Sequence, residues 1–215
     1  GRVYYAAGES EQAEAEVLAS LAISDRLGVA DPDNVMVRLN VSVSHHFLGK
    51  LYDRAGDPER ALGHFEQMLA ANRRIAEANP DSLNFRRQHA VALDMTGFAL
   101  RKLDRKAEAL EHHREANELF TTIAATRPDD ADIRRSVAVS WYFLGQLERD
   151  IALEDGQTAA LRERHLGDAI EAFETAREIM VGLREAGDLP PGDDGVIGML
   201  EGEVEKTRGL LRSEG

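Results

Sequence analysis

The stretch DPDNVMVRLNVSVSHHFLGKLY, residues 31 to 52, returns as NPDSLNFRRQHAVALDMTGFAL at 79 to 100 and as RPDDADIRRSVAVSWYFLGQLE at 127 to 148. Pro32, Pro80 and Pro128 stand at one interval of 48 residues, as do Arg38, Arg86 and Arg134, and Gly49, Gly97 and Gly145. Self-similarity at a fixed period is the mark of a repeat architecture, in which each unit buries its apolar face against its neighbours. The downstream half of each unit keeps the register too: Ala61 recurs as Ala109. It then recurs as Ala169, displaced by about a dozen inserted residues near 151 to 162.

Within a unit the apolar residues follow helical rather than alternating spacing. Leu39, Val43, Phe47, Leu48 and Leu51 form one stripe, and Ala61, Leu62, Phe65, Met68, Leu69 and Ile75 another, at the i, i+3, i+4 offsets of amphipathic helices. Between the two stripes, AGDPER offers Asp57 as a cap and Pro58 for the first helical position. Between units the proline ends the preceding helix, since it lacks an amide donor and restricts the residue before it. The predicted helices are 9–29, 34–55, 58–78, 82–102, 105–126, 130–153, 158–187 and 194–212, with no strand. The fold class is all-α, a right-handed superhelical solenoid of antiparallel helix pairs.

The expected organisation is a partial repeat at 1–30 contributing only a second helix, then full repeats at 31–78, 79–126 and 127–188, and a capping helix at 189–215. On this register the first half of the opening repeat is expected to be missing or to lie upstream. A half-repeat left open would also be a surface for self-association.

Glycine inside a helix costs about 1 kcal/mol relative to alanine, so three of them at one register imply a return. The expected return is a close crossing of Gly49, Gly97 and Gly145 against the small Ala61, Ala109 and Ala169. Arg38, Arg86 and Arg134, one turn into each first helix, are expected to tie neighbouring repeat units by reaching an acidic group or helix C-terminal carbonyls between them.

Composition narrows the function. The chain has 215 residues, a formal charge of -13 and no cysteine. The acidic balance opposes whole-protein attraction to nucleic acid or an anionic membrane, and disulfides and thiolate metal sites are excluded. No apolar run reaches the roughly 18 residues that span a bilayer. The setting expected is cytoplasmic.

Chemistry is hard to find. His45-His46 and His112-His113 suggest a metal, but adjacent helical residues point about 100° apart and do not close on one ion. No phosphate-binding glycine loop and no Gly-x-Ser-x-Gly elbow is present. The reading is therefore non-enzymatic, with no cofactor and no metal.

WYFLG at 141–145, LGKLY at 48–52, ALGHF at 61–65 and AIEAF at 169–173 resemble the signature of the tetratricopeptide repeat. Departures are His45 and Leu93 where the family has Trp, Thr96 for the Leu before glycine, and His113 for the second-helix aromatic. The period of 48 exceeds the family's 34, which makes this a long-helix variant, of the kind found in bacterial multidomain and signalling proteins. The resemblance implies a scaffold for protein partners, with first helices lining a concave face.

Carried onto this register, the inward positions of the first full repeat are Val43, His46, Lys50, Asp53 and Arg54. In the second they are Arg87, Val91, Asp94, Phe98, Arg101 and Lys102, and in the third Arg135, Val139, Tyr142, Gln146, Arg149 and Asp150. Seven of these are basic and three acidic, a local +4 on a chain of net -13. The partner-binding set expected is His46, Lys50, Arg54, Arg87, Phe98, Arg101, Lys102, Arg135, Tyr142, Gln146 and Arg149. Such a groove suits an acidic peptide or protein with an apolar anchor. The alternative is a ligand-responsive sensor array attached to an effector domain of a larger bacterial signalling protein.

Overall fold

The computed structural model of the protein describes residues 10–31, 34–189, 192–193 and 195–212. Among them are eight helices and no strand: α1 (Ser10–Ala30), α2 (Val35–Ala55), α3 (Pro58–Ala78), α4 (Leu83–Lys102), α5 (Lys106–Thr126), α6 (Ala131–Ala152), α7 (Ala159–Ala186) and α8 (Val196–Arg212). Every predicted helix is present, with ends shifted by two residues at most. Pro32 lies outside the described residues.

The chain divides into two compact units, Gly1–Arg105 with α1 to α4 and Lys106–Gly215 with α5 to α8. The division falls inside the expected second repeat, between its two helices. In the first unit α1 packs on α2, α2 on α3 and α3 on α4; in the second α5 packs on α6, α6 on α7 and α7 on α8. Short connections make sequential partners antiparallel neighbours. Each unit is thus a run of helical hairpins, and the protein is an all-α helical-repeat chain.

Local chemistry sets the helix ends. Asn34, Ser82 and Asp130 each cap a first helix: the Asn34 side chain accepts from the Met36 and Val37 amides, Ser82 Oγ from Phe85 and Asp130 Oδ1 from Ile133. These caps share the repeat interval and follow the prolines by two residues. Asp57 caps α3 with Pro58 in the first turn, and Gly56 ends α2 in the left-handed region at φ 77°, a conformation glycine adopts without penalty.

Gly49 and Gly145 do allow close approach, but to a different residue from the one expected. A Cβ on Gly49 would lie 2.5 Å from the Phe65 ring, and one on Gly145 would lie 2.8 Å from the Phe173 ring. Ala61 and Ala169 are fully buried, yet it is the aromatic four residues further on that occupies the space over the glycine. Burying such a ring contributes about 1.5–3 kcal/mol, more than the helical glycine costs.

The inserted dozen residues lie partly in a longer connection, 153–158 against Gly56-Asp57, and partly in α7. Ala61 is the fourth residue of α3 and Ala169 the eleventh of α7, so α7 begins about two turns earlier relative to the same core position. Downstream of that point the second unit packs Phe173, Ala176, Met180 and Leu183 of α7 against Ala138 of α6 and Ile197, Leu200 and Val204 of α8.

Candidate functional site

In the second unit, α6 and α8 flank a partly open cavity of about 220 Å³. Its walls are mostly apolar: Val139, Tyr142 and Phe143 from α6, with Val196, Met199 and Leu200 from α8. Val139 and Met199 are exposed large hydrophobics. At the rim Arg135 donates through Nε to Asp193 Oδ2 at 2.5 Å and through Nη2 to Oδ1 at 3.3 Å. This pairing holds the Asp193 carboxyl below the usual carboxylate range and raises the Arg135 guanidinium. Tyr142 accepts a hydrogen bond from Gln146, and its ring meets those of Phe143 and Phe173 at centroid distances of 5.9 and 6.0 Å.

Arg149 sits differently from its expected place on an open groove. It is buried, ion-paired with Glu203 of α8, and its guanidinium lies 5.3 Å from the Phe173 ring centroid. The reason is electrostatic: a buried guanidinium is tolerated only with a carboxylate partner, and α8 supplies one. Arg149 is an internal tie between α6 and α8, and Arg135 ties α6 to the segment before α8 through Asp193.

In the first unit Lys102, in the last turn of α4, pairs with Asp53 of α2 at 2.5 Å, and its ammonium stands 4.8 Å from the Phe98 ring centroid. Lys102, Arg135 and Arg149, expected to make the groove positive, are therefore neutralised within their own units. Lys50 and Arg87 are half-buried, Arg54 is exposed and Arg101 half-buried. Asp94 is buried. His46 is half-buried with Nδ1 enclosed and unbonded, and burial, with Lys50 adding, pushes its pKa down.

The histidine pair does take part in a cluster, through the other ring. His45 Nδ1 lies 2.9 Å from His64 Nδ1 of α3, Tyr52 stacks on His64 at 5.3 Å, and the Tyr52 hydroxyl donates to Glu14 of α1. Burial lowers the His64 pKa, against the opposing charge of Glu14. Among the repeated arginines, Arg134 lays its Nη2 3.0 Å from where a Gly182 Cβ would be, an α6 to α7 contact within one repeat. Arg38 and Arg86 are half-buried in α2 and α4.

Asp193, Val196 and Met199 lie outside the sequence-predicted site, because the repeat register assigns 189–215 to a cap. The usable signal was Met199, an apolar residue outside the Ile197, Leu200, Val204 stripe of its helix.

No family model matches the chain, and no curated protein matches it in sequence. Among solved structures it is similar to BtubC (BKLC) from P. vanneervenii, at 15% identity and a TM-score of 0.43, covering 95% of this chain and 91% of that one. It is similar to MamA at 16% identity and a TM-score of 0.37, covering 98% of each. It is also similar to the de novo designed helical repeat protein DHR64, at 12% identity and a TM-score of 0.38, covering 95% and 97%. All three scores are below 0.5, and none bears on what this chain does. No helix among the described residues is long and apolar enough to cross a membrane.

Proposed function

We propose that the protein is a non-enzymatic interaction module of tetratricopeptide type, binding a segment of a protein partner on the α6 and α8 face. The observation that carries this reading is the apolar cavity beside Val139, Tyr142 and Met199, with the Arg135 and Asp193 pair at its rim. At about 220 Å³ it is smaller than the roughly 300–1,000 Å³ that encloses a drug-sized ligand. It is suited to one bulky apolar side chain, the anchor on which peptide recognition concentrates its energy. The internal pairing of Lys102, Arg135 and Arg149 shifts the weight of recognition from bulk positive charge to that anchor.

The test is site-directed photo-crosslinking from Val139, with Glu171 of α7 as the comparison position, followed by mapping of the captured peptide. Capture at Val139 of a segment centred on a large apolar residue, abolished by Met199→Glu, is the expected result. Equal capture from both positions, or capture indifferent to Met199→Glu, overturns the reading.

A further inference from the structure

A second cavity in the same unit, of about 330 Å³, opens between α5, α6 and α7, and its walls differ in kind from the first. Four carboxylates line it, Glu118, Glu148, Asp168 and Glu171, against one cation, Arg114. Glu148 of α6, His165 and Asp168 of α7 bring one ligand atom each to within 4.8 Å of one another. His165 and Asp168 are three apart on one helix, so they share a face. Glu148 is almost fully buried, at 4% exposure.

We infer that Glu148, His165 and Asp168 form a binding site for a divalent transition-metal cation of the Zn²⁺ class. One imidazole and two carboxylates make a mixed nitrogen and oxygen set, which favours Zn²⁺ and its first-row neighbours over Mg²⁺. Zn²⁺ holds such ligands at about 2.0–2.2 Å, which places them about 3.4 Å apart in a tetrahedron. Against a maximum separation of 4.8 Å, the adjustment is a rotamer movement and not a rebuilding of the helices.

Two further observations describe the surroundings of these ligands. Arg114 Nη2 donates to Glu148 Oε1 at 2.8 Å, which orients the carboxylate and leaves Oε2 towards His165, as outer-shell donors do at metal sites. Asn117, only 7% exposed, lines the same cavity, and its amide nitrogen, which only donates, has no hydrogen-bond partner, so it calls for an acceptor there, such as the water that Zn²⁺ keeps when the protein supplies three ligands. The amide is a buried polar group of the kind whose missing partner calls for explanation.

His165 Nδ1 lies 2.7 Å from Glu148 Oε2. A carboxylate only accepts, so that nitrogen now carries the proton. Coordination through Nδ1 requires this proton to leave that nitrogen.

Trp141 is the only tryptophan of the chain and lines this cavity, so its fluorescence reads the site directly. Chelator-treated full-length protein would be titrated with Zn²⁺, Co²⁺ and Mg²⁺, following Trp141 emission and the thermal midpoint. The expected result is a saturable change at one equivalent of Zn²⁺ or Co²⁺ and a raised midpoint. His165→Gln and Asp168→Asn should each weaken binding by about tenfold or more, while His45→Gln leaves it unchanged. Absence of a one-equivalent response in the wild type, an equal response to Mg²⁺, or unchanged binding in both variants overturns the site.

Discussion

Gly145 of α6 lies beneath the ring of Phe173 of α7, so close that a methyl group on the glycine would stand 2.8 Å from the ring carbons. Gly49 and Phe65 repeat the arrangement in the other unit. The pair works as one part made of two residues: the ring fills the space that the absent side chain leaves. Gly145→Leu should therefore overpack the α6 to α7 contact and cost about 1–3 kcal/mol. Combining it with Phe173→Ala should restore part of the loss, which thermal denaturation of the single and double variants would read. Additive losses would show that the two residues do not share one space.

Acid should loosen the first unit. His46 and His64 both have folded-state pKa values below the usual 6.5, chiefly through burial. The unfolded chain then binds more protons than the folded one as pH drops through 6.5, so stability is full above that value and declines below it. The thermal midpoint of the wild type should fall between about pH 7.5 and pH 5.5, ahead of ordinary carboxylate protonation. His46→Leu with His64→Phe should flatten the decline, and an unchanged pH slope in that variant would contradict the assignment.

The rim of the first cavity depends on one ion pair. Arg135 depresses the Asp193 pKa, so the pair is complete above the ordinary carboxylate value of 3.8 and is lost as pH falls through the lowered one. Asp193→Asn should release the segment before α8. Hydrogen exchange should show faster amide exchange at Val196 to Met199 with little change in α7.

A buried amide holds the other unit. Asn72 of α3 accepts from Ser42 Oγ of α2 at 2.7 Å and donates to the Gln88 carbonyl of α4 at 3.2 Å. Asn72→Ala should cost about 1–3 kcal/mol by leaving the Ser42 hydroxyl buried without a partner. Ser42→Ala made in that background should cost less than in the wild type, and a double-mutant cycle in urea would measure the coupling.

The same contact explains where sequence reading stopped. Val43 belongs to the apolar stripe of α2 by spacing, yet it is 51% exposed, while Ser42 and Ser44 beside it are buried. Asn72 pulls Ser42 inward, and no periodicity encodes a hydrogen bond across 30 residues. Helix existence and ends were legible because Pro58, Gly56, Asp57 and the cap series Asn34, Ser82, Asp130 act locally. The fate of the charges was not. Arg135 and Arg149 find Asp193 and Glu203 in a segment outside the repeat, so register could not supply their partners. The Glu148, His165 and Asp168 cluster was hidden likewise, since two of its members sit in or beside the insertion.

That insertion enters upstream of Ala169, and so Ala169, Phe173 and the residues beyond keep the register of their counterparts in α3. The two added turns project new side chains, His165 among them, from a helix whose buried half is unchanged. A repeat chain can in this way gain a distinctive chemical feature at one rung by growing a helix from its free end, with no correction needed anywhere in the ladder below.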